Sequence, residues 1–324
     1  MIDRRTLLAL AAGVVAVPPL AAQSGQRPKI GFVSAVDRNP RQYAAFETGL
    51  RESGLEPGRG LEILERYAGG NLERMRSQID ELAALGTSVF VTAGDNAMQA
   101  IQERAPDVPI VAAVISNYGN VVLGGSINRP PGNVTGFSNL SAEMAVKRLD
   151  LLRKVVPGLD NVVVLVNPRT ISRGGRQAEA YVNSAQSLRV AVRLQPLGSR
   201  VELGAALRKA RGEGAGGVIV FRNFLFETRR DEILAAIASA GLPSMFEERF
   251  YVERGGLISY STDIVDLFRR AGGYAAKVLA GTPASDLPIQ LPTKFEMVVN
   301  AKTAKGLGLT LPNDILVSAD EMIE

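Results

Sequence analysis

The sequence predicts an α/β protein of two similar lobes in series, each a parallel sheet covered by helices on both faces. Three observations carry this expectation. Apolar, β-branched runs alternate with amphipathic stretches of 9–15 residues, the pattern of βαβ units. The alternation starts afresh after Val156. At 324 residues and 46% hydrophobic content, the chain is long for one domain and has ample material for two cores.

In the first round, KIGFVS (29–34) reads as a buried strand and RQYAAFETGLRES as a helix ending at Gly54. LEILERYA follows as the second strand. NLERMRSQIDELAAL follows as a helix with Asn71 as cap and Gly86 as stop. SVFVTA and PIVAAVI are strands three and four, separated by a helix from Asn96 to Arg104, and GNVTGFS is a short fifth strand. A helix from Ser141 to Val156 leads to the second round. There NVVVLVN, VAVRLQPL, GGVIVF, LPSMF and GGLISYS are the strands, and RQAEAYVNSAQSL, VELGAALRKAR and ETRRDEILAAIASA the helices, the last ended by Gly241. The helix Asp263–Leu279, the loop GTPASDLPIQLPT, the strand KFEMVVN and a terminal helix from Ala301 exceed what one lobe needs. The chain is therefore expected to cross between lobes more than once.

Composition narrows the chemistry. The chain has no cysteine and no histidine, which removes disulfides, thiolate nucleophiles, Ser-His catalysis and the usual zinc ligands together. Lysine and arginine number 37 against 33 acidic residues, dispersed along the chain. No basic block interleaved with aromatics suggests nucleic acid. A carboxylate-dependent hydrolase stays conceivable, but no acid–base pair can be nominated.

The N-terminus, MIDRRTLLALAAGVVAVPPLAAQSGQ, reads as a secretory signal over residues 1–24. It has Arg4 and Arg5, an apolar run from Leu7 to Val17, then small residues around the cleavage region. The run would span only about 16 Å as a helix, short of the roughly 30 Å hydrocarbon core, so a permanent anchor is not expected. Arg4-Arg5-Thr6-Leu7-Leu8 is compatible with twin-arginine export, and an ordinary basic n-region gives the same pair. The absence of a DNA-binding helix pair before Lys29, together with this signal, argues against the effector domain of a transcription regulator.

In open parallel sheets, ligands bind beyond the carboxyl ends of the strands. Those points carry Ser34 to Asp37, Gly94-Asp95-Asn96, Ser116-Asn117-Tyr118, Asn167-Pro168-Arg169, Phe221-Arg222-Asn223 and Tyr260 to Asp263. Small polar groups and a few aromatics suit a small polar ligand. Tyr118, Phe221 or Tyr260 would stack on it. Asp95 or Asp263 would meet an ammonium, and Ser34, Ser116 and backbone N–H groups a carboxylate. Each position also has a plainer reading: Asp95, Asn96 and Ser116 are good cap or turn residues, and Tyr260 could be core. TAGDNA is not a phosphate-binding loop, and no GxGxxG follows the first strand.

The export signal, KIGFVS, VTAGDNAMQAI, PIVAAVIS, PPGNVTGFS and above all LPTKFEMVVNAKTAKGLGLTLPNDILVSADEMIE resemble ABC-transporter substrate-binding proteins, the branch that includes tryptophan- and tyrosine-binding members. The resemblance spans about residues 27–324. It implies a type I periplasmic-binding-protein fold: two Rossmann-like lobes joined by three crossings, closing on a ligand in the cleft. It implies lobe 1 over 27–138 plus 263–289 and lobe 2 over 139–262 plus 290–324. The crossings would lie near Ser138-Asn139, Ser261-Thr262 and Gln290 to Pro292. The ligand-binding positions it implies are Ser34, Asp37, Gly94, Asp95, Asn96, Ser116, Asn117, Tyr118, Asn167, Phe221, Asn223, Tyr260 and Asp263. Family members often carry Ser, Thr, Pro or Ala at Asp95-Asn96 and Asp-Pro at Asn117-Tyr118, so the ligand itself does not transfer.

The expectation is an exported periplasmic receptor, not an enzyme and without cofactor. It would act as a monomer, bind a small polar molecule such as an amino acid or an aromatic or small carboxylate, and deliver it to an inner-membrane ABC permease. A ligand-sensing receptor for a membrane signalling protein is the alternative.

Overall fold

The computed structural model describes residues 27–121, 125–168, 175–198 and 200–324. The expected signal segment and Arg169 lie outside them. The first sheet contains β1 (Lys29–Ser34), β2 (Glu56–Pro57), β3 (Gly60–Tyr67), β4 (Val89–Ala93), β5 (Ile110–Ile115) and β6 (Val134–Ser138) in the order β2-β3-β1-β4-β5-β6. All its pairs are parallel. Helices α1 (Pro40–Glu52), α2 (Leu72–Ala84) and α3 (Asp95–Arg104) make the crossovers, and the short α4 (Tyr118–Val121) follows β5. Asn39 and Asn71 cap α1 and α2, accepting from backbone N–H groups of their first turns. Pro40 opens α1, where its missing N–H costs nothing.

The second sheet contains β7 (Asn161–Val166), β8 (Ala191–Pro196), β9 (Gly217–Val220), β10 (Ser244–Phe246), β11 (Ile258–Thr262), β12 (Phe295–Asn300) and β13 (Glu321–Ile323). Their order is β13-β12-β11-β10-β9-β7-β8. Around it lie α5 (Ala145–Val155), α6 (Arg176–Leu188), α7 (Arg200–Gly212), α8 (Phe224–Glu227), α9 (Arg230–Ala240) and α10 (Arg249–Glu253). Three features differ from the expected elements. The helix expected over 227–240 starts only at Arg230, and the short α8 precedes it. β12 runs antiparallel to β11, because it enters the sheet from the far lobe. The expected terminal helix is two short ones, α12 (Ala301–Gly306) and α13 (Asn313–Ser318), followed by β13, which pairs with β12.

Helix α11 (Ile264–Leu279) follows β11 in sequence but packs on the first sheet. Leu267, Phe268, Ala271 and Ala275 join Phe32, Phe46 and Leu50 in one core. Its crossing with α1 is close: a Cβ on Gly49 would lie 1.7 Å from the Arg269 carbonyl oxygen, and one on Gly272 2.3 Å from that of Phe46. Only glycines permit that approach. The other face of the first sheet holds Met75, Ile79, Phe90 and Ile101, whereas the second sheet shares one continuous core from Leu149 to Ile315.

Among the described residues the chain passes between the sheets three times: after β6, after β11 and before β12. These passages are fastened together. Ser138 N donates to the Gln290 carbonyl at 2.9 Å, and Gln290 N to that of Gly136 at 2.9 Å. The Thr262 hydroxyl donates to the Asn139 carbonyl at 2.9 Å. Ser138, Asn139, Ser261 and Thr262 are all buried, and Leu140 sits at φ +50°, where the chain turns into the second lobe. No helix among the described residues is long and apolar enough to cross a membrane.

Candidate functional site

Each sheet has a point where its strand order reverses, and there the carboxyl ends of neighbouring strands open a crevice. In the first sheet this point lies between β1 and β4. It brings together Ser34, Gly94 and Asp95, with Ser116 beside them after β5. In the second sheet it lies between β7 and β9 and brings together Asn167, Arg222 and Asn223. The two points face each other. Phe224, the residue after Asn223, packs against the core of the first sheet, and Arg222 acts electrostatically on Asp95.

The lobes also touch on both sides of this gap. On one side, Gly70 sits against the Thr228 side chain, and Arg41 lies 3.6 Å from Glu253. On the other, Arg176 at the start of α6 donates to Asn117 Oδ1 at 3.5 Å and lies 6.0 Å from the Tyr118 ring centre.

The lobe 1 wall is largely backbone. Gly94, at φ +90°, is the N-cap of α3 and supplies no side-chain bond to that helix. Asp95 does not cap the helix either: its Oδ1 accepts the Ser116 backbone N–H at 3.0 Å, clipping the β5 loop to α3. Burial pushes the Asp95 carboxyl above its ordinary range, against the N–H groups of Ser116 and Asn117 and the positive field of Arg222. Ser34 Oγ accepts from Val36 N at 3.3 Å. Tyr118 is half-buried against the core, and Asp37 and Asn96 are exposed.

The lobe 2 wall is polar and charged. Asn167 Nδ2 donates to Asn223 Oδ1 at 3.0 Å, and the same oxygen accepts from Leu225 N, so Asn223 caps α8 while bridging two strand ends. Phe221 is 3% exposed, its ring stacked on Tyr181 and tilted against Phe226 inside the core. Its ring therefore offers no face to the gap in this structure. Tyr260 is half-buried and stacks on Phe295, 5.9 Å between centroids. Asp263 caps α11, accepting from Asp266 N at 3.0 Å. Ser34, Gly94, Asp95, Ser116, Asn117, Tyr118, Asn167 and Asn223 thus gather at the gap. Phe221 lies beneath it, while Tyr260 and Asp263 have their principal contacts elsewhere.

Sequence reasoning missed a buried charged network under the lobe 2 wall. Glu247, 3% exposed, accepts from Ser141 Oγ and from Arg222 N, each at 2.7 Å, and from Asn139 Nδ2 at 3.2 Å. Arg148, wholly buried, lies 3.4 Å from Glu247 and donates to the carbonyls of Tyr260 and Ser141, each at 2.7 Å. Alongside, Arg222 pairs with Glu248 and, at 3.3 Å, with Glu227, whose carboxyl burial pushes up to about 7. The signals were present. Arg148 interrupts an apolar helix face, and Glu247 immediately follows a strand end. Among the described residues no cluster of His, Cys, Asp or Glu could hold a metal ion.

This geometry has relatives. A tyrosine-binding protein from Clostridioides difficile (strain R20291) is 22% identical over 305 residues, spanning 92% of this chain and 87% of that protein. The crystal structure of an ABC domain in complex with L-Trp from Streptococcus pneumonia superposes with a TM-score of 0.82 at 23% identity, covering 92% of this chain and all of that one. The ligand-free, open structure of a substrate binding protein with adhesive properties from Clostridium difficile gives 0.70 at 20%, covering 92% and 99%. These likenesses show the type I periplasmic-binding-protein fold. Residues 31–323 match the family described as ABC transporter substrate binding protein, and by that match over nearly its whole length the chain belongs to this family.

Proposed function

We propose that the chain captures a small polar molecule, an amino acid or an aromatic or small carboxylate, between its lobes and delivers it unaltered to an ABC permease. The observation that carries this reading is the pair of strand-order reversals facing each other across one gap, with the lobes in contact on both sides of it. A ligand in that gap touches both lobes only when they meet, so binding energy favours the closed arrangement. The first N–H groups of α3, left without a side-chain cap, suit a ligand carboxylate. Asp95 suits its ammonium, and Tyr118 beside the gap gives an aromatic surface. The tyrosine-binding relative and the L-Trp complex support an aromatic amino acid as the first candidate. The signal-like N-terminus supports export to the periplasm with residues 1–24 removed. We take lobe 1 as 27–138 plus 263–289, lobe 2 as 139–262 plus 290–324, and the working form as a monomer.

A thermal-shift screen over the amino acids, aromatic acids and small carboxylates tests this. A true ligand at a hundred times its dissociation constant stabilises by about 2.7 kcal/mol, and Asp95→Ala removes that gain. No stabilisation by any member, or conversion of a member to product, would overturn the reading.

A further inference from the structure

Lobe 2 meets lobe 1 through one face of α8. Phe224 packs on the core of the first sheet. Thr228, which closes the helix, turns its methyl group to Gly70 while its hydroxyl donates to the Leu225 carbonyl at 2.9 Å. Residues three and four apart share a helix face, so Glu227 stands beside Phe224 and Thr228 at the edge of the same contact. Its side chain is 9% exposed.

Three carboxyl groups surround Arg222, and they are not equally satisfied. Glu247 accepts the three hydrogen bonds described above, and Glu248 accepts from Arg222 Nη1. Glu227 lies 3.3 Å from Arg222 Nε and 3.5 Å from Arg230 Nη2, yet among the described residues no donor meets it in hydrogen-bond geometry. Arg230 reaches it from the start of α9 and Tyr251 faces it from α10, while Asp95 faces Arg222 from lobe 1. Arg229, Asp231, Glu232 and Arg254 share with it an outer hollow of about 520 Å³. A carboxylate without hydrogen bonds to its charged form is the member of such a cluster that takes up a proton first. Covering it with a second lobe strips water that the charge needs, whereas the neutral acid loses little. Parting the lobes uncovers the α8 face and restores that water. We propose that Glu227 makes closure proton-linked: the chain shuts its gap more readily in mildly acidic than in neutral surroundings, with α8 as the clasp. The device rests on the closing motion proposed above and adds a regulator to it.

The test is small-angle scattering of the ligand-free chain from about pH 5 to about pH 8, with Glu227→Gln and Arg230→Gln alongside and circular dichroism at each pH to confirm folding. The expected result is a radius of gyration that is smaller at acid pH in the parent, with the transition at or below about 7. Glu227→Gln, neutral at every pH, stays compact throughout. Arg230→Gln removes a cation from beside the carboxyl and moves the transition up by about one pH unit. That shift keeps the proposal testable even where Glu227→Gln does not fold. A parent radius that ignores pH, a response that Glu227→Gln shares, or a transition that Arg230→Gln leaves in place overturns the proposal. The thermal-shift screen, run at one pH, decides ligand capture separately, so a chain stabilised by an amino acid but indifferent to pH loses the proton link alone.

Discussion

The two lobes reach the gap with the same order of five parallel strands, β3-β1-β4-β5-β6 and β8-β7-β9-β10-β11, and with different materials. Lobe 1 holds its edge with single hydrogen bonds from backbone N–H groups, Asp95 Oδ1 accepting from Ser116 N and Ser34 Oγ from Val36 N. Lobe 2 holds its edge with buried charge, Arg148 against Glu247 and Arg222 between Glu227 and Glu248. The difference follows the crossings. Glu247 holds Asn139 and Ser141 on the first passage, while Arg148 holds Ser141 and the Tyr260 carbonyl beside the second. On the lobe 1 side the first passage is held by backbone bonds, Asn139 N to the Ile115 carbonyl and Ser138 N to that of Gln290. The first two crossings are thus anchored in lobe 2 by a buried ion pair, while lobe 1 holds the first by backbone and the third by side chains of α11, Arg270 donating to Gln290 and Asp266 lying 3.7 Å from Lys294.

Arg148→Met is the severest test of that contrast. It strands Glu247 in a site 3% exposed, and removing one partner of a buried pair costs about 3–5 kcal/mol. The matching lesion in lobe 1, Thr92→Val, removes a buried hydroxyl that donates to the Val33 carbonyl at 2.8 Å and should cost only about 1 kcal/mol. Urea denaturation of both variants gives the comparison. Equal costs would mean that the charged network anchors nothing special.

Acidity sharpens the contrast further. Burial raises the Glu227 carboxyl from an ordinary 4.5 to about 7, with Arg222, Arg230, Glu248 and Glu247 around it. A carboxyl whose folded value exceeds its unfolded one holds its proton more tightly when folded. Its stabilising contribution is then full below the unfolded value and is lost as pH rises through the folded one. Unfolding free energy should fall by on the order of 2 kcal/mol between about pH 5 and about pH 8, and Glu227→Gln should flatten that slope. A slope unchanged in the variant would assign it to another group.

How much of this was legible in the sequence follows from what each signal encodes. Runs such as VFVTA and NVVVLV fix where strands end, and strand ends fix the crevice, so Gly94 to Asp95, Ser116 and Asn167 could be read directly. Side-chain direction could not. Phe221 follows β9, yet its ring turns inward onto Tyr181, because successive residues of an extended segment point to opposite faces. Arg148 shares the α5 face of Leu152 and Val155, all buried, and a lone arginine among apolar neighbours marks a buried partner whose identity only the fold supplies. β13 is three residues long, too short for any period to register.

Gly70→Ala probes the contact between the lobes. The residue sits at φ +85°, and a Cβ there would lie 2.8 Å from Thr228 Cγ2 of the other lobe. Backbone strain should cost about 1 kcal/mol, and the methyl group should hold that side of the gap apart. Small-angle scattering should give a larger radius of gyration than the parent, and adding Thr228→Ser should restore it. A radius unchanged by Gly70→Ala would mean that this side is not what sets lobe separation.

Arg41→Gln should have the smallest effect, and its size decides what holds the lobes in contact. Arg41 is 72% exposed at its side chain and 3.6 Å from Glu253, which keeps a 2.8 Å hydrogen bond from Arg249 when Arg41 is lost. Exposed pairs of this kind contribute about 0–1 kcal/mol and are screened over roughly 8 Å at physiological salt. The variant should therefore match the parent in stability and in radius of gyration at ordinary salt, with any expansion confined to low ionic strength. If Arg41→Gln opens the molecule as far as Gly70→Ala does, charge rather than packing of Thr228 and Phe224 joins the lobes. The division of labour would then reverse, with ions working across the gap as well as beneath the lobe 2 wall.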